Sequence, residues 1–300
     1  MNDTLHITSG DVAGGLLAKA GLGGEIFVWH DILYDGPRNP GWPDDRTIDA
    51  RAEFLERMTG GGLSRERVKE TLLAQYAKLA GASDYTRLVL WFDACLFDQS
   101  MLAHILTCLF SKGIFKADLL CVDAFPGIVP FDGLGQLQPA QLASLYAQRR
   151  PVTEAQFRFA QIVDAAFSAL DSMELAKLAL HADAPLPFVP AAAARWLQEQ
   201  PDPATGMGRL ERLALEVVRA GCETPGEIFK MAAASDSHPQ FWGDTTLWAK
   251  INALADRKPP LVKIEGPAAR LPQWPGKVDL ESFRIKREPI TGPKTVIRGE

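Results

Sequence analysis

Four apolar runs in the first 125 residues each end on an aspartate: residues 4–11 (TLHITSGD), 25–31 (EIFVWHD), 87–93 (RLVLWFD) and 116–123 (KADLLCVD). If these runs are parallel strands of one open α/β sheet, their carboxyl ends share an edge, where ligands bind near a switch in strand order. Neighbouring strands lie about 4.8 Å apart. Carboxylates that close repel, and such a cluster carries a raised pKa, a basic partner or a divalent cation. The chemistry this suggests is cation-assisted handling of a phosphorylated ligand by Mg2+ or Mn2+, in which metal-bound water can become a nucleophile. Asp11 and Asp93 are the expected metal ligands, Asp31 a ligand or general base, and Asp98, from the start of the next helix, its catalytic companion. Asp123 is set aside, because the Pro-rich turn after it explains an aspartate. The competing reading is that each aspartate simply caps a helix or turns the chain.

Groups that could hold the anion lie nearby in sequence. Residues 10–15 (GDVAGG) follow a strand and open a helix, so Gly10 and Gly14 lie where backbone N–H groups can receive phosphate, although neither the dinucleotide fingerprint nor the Walker pattern is met. Arg38, in the DGPR loop, and Arg51, on the next helix, could clamp a phosphate bidentately; a salt bridge to one of the aspartates explains them equally well. Ser9 lacks a nucleophile elbow. His30 reads as a packed or hydrogen-bonded histidine on the face opposite Asp31. The four cysteines have no Cys-x-x-Cys pairing, and the five histidines show no zinc spacing.

These residues need a scaffold. Strand and helix alternate up to residue 123, with helices expected over residues 14–20, 47–58, 64–79 and 99–111, which predicts a mostly parallel sheet covered by helices. From residue 138 to about 200 the pattern is helical throughout, over 142–149, 154–169, 173–181 and 190–200. Three short helices at 209–220, 224–233 and 245–257, then two β-rich runs at 260–265 and 280–286, follow the winged-helix order. The chain is thus expected to comprise an α/β sheet domain (1–135), a helical segment (136–204), a small winged-helix-like α+β domain (205–288) and a loosely held tail (289–300).

Composition bounds the function class. The 300 residues are 47% apolar and 23% charged, which fits a globular protein rather than a disordered or fibrous one. No apolar stretch reaches the roughly 18 residues of a membrane span, and the start, MNDTLHITSG, lacks a signal-peptide pattern, so a cytoplasmic location without a membrane partner is expected. The net charge of −5 is uneven: residues 209–300 hold 15 Lys and Arg against 12 Asp and Glu, leaving −8 on residues 1–208. An acidic first part argues against long nucleic-acid tracks there. The helix at 245–257 offers only Lys250, Arg257 and the adjacent Lys258 for a DNA groove, so DNA binding is the weaker reading beside a protein partner or simple packing.

LHITSGDVAG, VWHDILYDGP, RAEFL and LVLWFDACLFDQ resemble the bacterial domain-of-unknown-function family 1835. GRLERLALEVV, PGEIF and WGDTTLWAKINALADRKPPLV resemble its usual companion, family 3658. The likeness covers most of the chain and implies no established activity. Asp93, Asp98 and Gln99 match the family pattern, and Gln99 joins the expected substrate-binding residues. Ala94 and Cys95 stand where that pattern has His and Asp, which implies that any catalysis resting on those two positions is impaired here or uses other groups. Three functions follow as expectations: cation-dependent binding, hydrolysis or transfer of a phosphate-bearing small molecule or nucleotide; a ligand-sensing adaptor whose carboxyl-terminal part binds DNA or a partner protein; or an inactive member retained for assembly.

Overall fold

The computed structural model describes residues 3–274 and 278–288. They form two compact units, one running from the amino terminus to Gln200 together with Ser237–Trp242, the other Pro201–Asp236 with the chain from Gly243 onward.

The first unit is α/β. Strands β1 (Thr4–Ser9), β2 (Glu25–Trp29), β3 (Arg87–Asp93) and β4 (Ala117–Val122) are mutually parallel, and the two-residue β5 (Arg150–Pro151) runs antiparallel at the edge, giving the order β2–β1–β3–β4–β5. All of β3 after Arg87 is buried, as its continuous apolar run requires of a central strand covered on both faces. Its pleat puts Val89 and Trp91 in one core with Ala13, Leu17, Leu134 and Leu142, which leaves Leu88, Leu90 and Phe92 for the opposite face.

Helix α1 (Asp11–Ala18) links β1 to β2, starting earlier than the periodicity suggests because Gly10, at φ 71, turns the chain directly into it. A Cβ on Gly14 would lie 2.2 Å from Val28 Cγ2, so the glycine is what lets α1 close onto β2. Helices α2 (Asp45–Met58) and α3 (Arg65–Ala80) form a hairpin between β2 and β3, their first turns capped by Asp44 and Ser64. Helix α4 (Leu96–Ser111) is buried on almost every side, which accounts for its weakly amphipathic sequence.

The helical stretch after β4 belongs to the same unit as the sheet. Helix α5 (Pro139–Leu145) packs on α1, α6 (Glu154–Ala169) and α8 (Val189–Glu199) pack on α4, and α7 (Ser172–Ala179) packs on α6 and α8. The helix expected over 142–149 instead begins at Pro139 and ends in a short 3-10 turn before β5. Pro151 is tolerated in a strand because β5 is an edge.

In the second unit α9 (Arg209–Arg219), α10 (Pro225–Ser235) and α11 (Asp244–Asp256) precede an antiparallel pair, β6 (Val262–Glu265) and β7 (Arg284–Arg287). Thr224 and Glu227 cap α10 reciprocally, with Pro225 in its first turn. Buried Asn252 donates to Leu271 O (2.9 Å) and accepts from Leu271 N (2.8 Å), pinning the loop after β6 to α11. The tail expected from residue 289 lies outside the described residues. Among those residues, no helix is long and apolar enough to cross a membrane.

Candidate functional site

The strand order reverses between β1 and β3, so the switch point of the sheet lies at Ser9 and Asp93, the last residues of those strands. Helix α4 starts three residues after Asp93, with Cys95 as its N-cap; the Cys95 sulfur accepts from Asp98 N at 3.4 Å. This short connection turns Asp98 back onto the strand ends. Asp98 Oδ1 shares a hydrogen bond with Ser9 Oγ, and Asp98 Oδ2 accepts from Asp93 N at 2.7 Å, so one carboxyl group ties β1 to β3. Gln99 Nε2 donates to Asp93 O (2.7 Å) and reaches Cys121 Sγ (3.2 Å), tying β3 to β4.

Asp93 Oδ1 accepts from Cys95 N at 3.0 Å, and the same carboxyl group takes the Leu134 backbone N–H. The loop carrying Leu134 closes tightly: a Cβ on Gly133, whose φ is 134, would sit 2.2 Å from Asp93 Oδ2. Only glycine permits that approach and that conformation.

Ligand atoms of Asp93, Cys95 and Asp98 all lie within 4.8 Å of one another, and all three residues are buried. Among the described residues, no lysine, arginine or histidine forms an ion pair with either carboxylate. Burial pushes the Asp93 carboxyl group up, against the pull of its N–H donors. Burial together with the neighbouring Asp93 charge pushes Asp98 well above the usual carboxylate range. Two such groups do not both ionise without compensation, so the pair holds a proton or needs a positive charge. The Cys95 thiol is likewise pushed well up by burial and both carboxylates, so it stays protonated and is no nucleophile. A divalent cation would supply the missing positive charge. The carboxylate oxygens fit a hard divalent cation such as Mg2+ or Mn2+.

The other residues expected in the site lie elsewhere. Asp11 is the first residue of α1, its side chain 83% exposed, and it pairs with His30 Nε2 at 2.8 Å. Asp31 is buried against Arg51, which also donates to Asp35 O (2.6 Å) and Ile32 O (2.8 Å) and so fixes the loop after β2. The Arg38 side chain is buried too, donating to Asp164 Oδ1 (2.6 Å) and Leu33 O (2.9 Å). Both arginines are thus engaged inside the fold, and for Arg51 the partner is one of the strand-end aspartates. Gly14 serves packing; Gly10 serves the turn into α1.

Sequence reading did not bring in Ser9, Cys95, Asp132 or His238. Ser9 and Cys95 flank residues that were singled out, and their proximity follows from the switch point. His238 Nδ1 pairs with Asp132 Oδ1 across 106 residues, a separation that no local pattern signals. A second buried network was also silent in sequence. His104 Nδ1 faces Asp164 at 3.1 Å, His104 Nε2 meets Tyr76 Oη at 2.7 Å, and Asp164 Oδ2 accepts from Gly41 N at 2.7 Å. No protein-family model and no curated protein matches this chain.

Proposed function

We propose that the first unit binds a divalent cation at Asp93 and Asp98 and uses it to hold a phosphate-bearing small molecule or nucleotide for hydrolysis or transfer. One observation carries this reading: two buried carboxylates and a thiol converge at the sheet's switch point without a basic partner among the described residues. When bound, the cation supplies charge for a phosphoryl oxygen and lowers the pKa of a water. Ser9 and Gln99 hold the strand ends in register around it, and Asp98 holds the exchangeable proton that the cation displaces. Asp11, Asp31, Arg38 and Arg51 have no direct part in this reading. The motif likeness to families 1835 and 3658 is part of the proposal and brings no activity of its own.

Calorimetric titration with Mn2+ and Mg2+, in buffers of different ionisation enthalpy, tests it. Wild-type protein should bind Mn2+ with proton release. Asp93→Asn and Asp98→Asn should lose at least about tenfold in affinity, and Asp11→Asn should match wild type. Equal heats in wild type and Asp93→Asn would remove the reading.

For the second unit we infer a winged-helix-like module that meets a partner protein rather than DNA. Lys250 on α11 and Arg257 at its end, two of the three basic groups expected at a groove, lie 3.8 Å and 3.7 Å from Glu211, and Arg257 also donates to Thr205 O and Gly206 O. Salt-sensitive binding of the full chain to duplex DNA, weakened by Lys250→Ala, would reverse that preference.

A further inference from the structure

His6, in the interior of β1, is fully buried, and among the described residues it forms no ion pair. Its two ring nitrogens meet opposite demands. Nε2 lies 3.0 Å from Gly23 O, a group that only accepts, so Nε2 carries a hydrogen. Nδ1 lies 3.0 Å from Trp91 Nε1, an indole N–H that only donates, so Nδ1 is bare. These neighbours admit one form of the ring, the neutral Nε2–H tautomer. A second ring proton goes on Nδ1 and would set two N–H donors against each other.

The surroundings offer that proton no other acceptor. The pleat puts His6 on the same face as Val89 and Trp91. Trp91 stacks on Tyr146 with 13° between the planes, and Tyr146 covers His6 with ring centres 5.9 Å apart. Arg149 lies 3.9 Å from the Tyr146 ring centre, and its charge reaches the imidazole, a like charge for an imidazolium. Asp118, on the neighbouring β4, is taken up by Arg149 at 3.2 Å and by Arg87 at 3.9 Å. From β2, Glu25 is bound by Lys78 and Tyr85. On α1, Asp11 pairs with His30; Lys19, just after it, is exposed; and α5 has no charged residue. Burial lowers the His6 pKa below its ordinary value; the Gly23 carbonyl opposes this and Arg149 adds to it.

The parts around the ring are unequally held. Both β1 and β3 have sheet neighbours on each side, which fixes His6 and Trp91 at the backbone. The turn carrying Gly23 is seated tightly, since a Cβ on Gly24 would lie 2.6 Å from Thr4 O and 3.2 Å from His6 Nε2. That turn keeps its bond whether or not the ring is charged, because Nε2 donates in both forms. The cover is weaker: Tyr146 and Arg149 are half-buried, and Ala147 and Gln148 between them are exposed. We propose that His6 is an acid-sensitive latch: taking up a solvent proton on Nδ1 breaks the bond from Trp91, unstacks Tyr146 and lifts the segment 146–149, so that water reaches the imidazolium. The latch is independent of the cation reading.

NMR on the full chain tests it. Imidazole 15N spectra, with His6 assigned by its absence in His6→Gln, should show the Nε2–H tautomer, still unprotonated at about pH 5.5. Trp91→Phe, which removes the donor opposite Nδ1, and Tyr146→Ala, which removes the cover, should each bring the His6 titration up toward about 6.5. Solvent exchange of the Trp91 indole hydrogen, corrected for its intrinsic rate, should speed up about tenfold from pH 7.5 to 5.5, the factor by which an open state with an ordinary histidine gains over that range. In His6→Gln the corrected exchange should not depend on pH; His6→Asn serves instead should melting show the glutamine variant unfolded. An Nδ1–H tautomer, a wild-type His6 already protonated at pH 5.5, or corrected exchange that is flat with pH in wild type overturns the latch. So does a pH dependence that survives in the non-titrating variant. An unmoved His6 titration in folded Trp91→Phe and Tyr146→Ala overturns the roles of the indole and the cover.

Discussion

A carboxyl group buried beside another must share its charge with a proton or a cation, and Asp98 does so with both oxygens already committed to Ser9 and the Asp93 amide. Because its folded pKa is raised, the native state holds a proton that the unfolded chain releases above about pH 4. The native state is therefore progressively disfavoured as pH rises from there to the folded pKa. Asp98→Asn, which keeps one acceptor and one donor in place of a protonated carboxyl, should remove this slope, so the variant gains on wild type between pH 5 and pH 8. Urea midpoints at pH 5 and 8 measure it, and a pH-independent difference would contradict the proton's placement. Asp31 predicts the opposite. Asp31→Asn leaves Arg51 charged and buried, and should cost about 3–5 kcal/mol while leaving cation binding intact. The two roles were not separable from sequence. Asp93, Asp98 and Gln99 could be grouped because a strand end and a helix start bring near neighbours together. Arg51 meets Asp31 across 20 residues and Arg38 meets Asp164 across 126, so only the fold could show that those arginines are engaged.

Among the elements, glycines mark where backbone geometry decides the site. Gly14→Ala drives a methyl into Val28 and should cost about 1–3 kcal/mol, with Val28→Ala in the same chain recovering most of it. Chemical denaturation of the single and double variants reads this directly, and no recovery would mean that α1 is not seated on β2 as described. Gly133→Ala pushes instead on the Asp93 carboxylate, so its expected signature is a loss of Mn2+ affinity of about tenfold or more, exceeding its effect on melting. The four parallel strands were legible because continuous apolar runs of five to seven residues bounded by Gly, Pro and Asp have few alternatives. Strand β5 was not, because two residues, one of them proline, carry no periodicity; its existence depends on an edge offered by β4. The helices after β4 were read at nearly their observed positions. Their packing onto the sheet's own helix α4 was hidden, since α4 is buried on almost every side and only weakly amphipathic, and gives no sign of which neighbours cover it.

At the scale of the whole molecule, the network centred on Asp164 joins α6, α4, α3 and the loop after β2 in one buried cluster. Burial alone would raise the Asp164 pKa, but His104, Arg38 and the Gly41 N–H overrule it and hold the carboxyl group well below the usual range. For His104, burial pulls the pKa down and is overruled by its anionic surroundings; the neighbouring Tyr76 phenol, pushed up to about 12 by burial, is neutral near pH 7, which leaves the Asp164 carboxylate as the effective charge. The Asp164 contribution is present above its unfolded pKa of about 4 and is lost as pH falls below it. Asp164→Asn should therefore cost about 3–5 kcal/mol near pH 7 and much less near pH 2, seen as a flattened acid limb in urea denaturation. An unchanged acid limb would assign acid sensitivity elsewhere. The two compact units also have an uneven inheritance. Ser237–Trp242, encoded between α10 and α11, belongs to the first unit and brings His238 to Asp132. A chain broken after Gln200 would keep the whole sheet yet lose these six residues, so a graft of the first unit onto a new partner must carry Ser237–Trp242 with it.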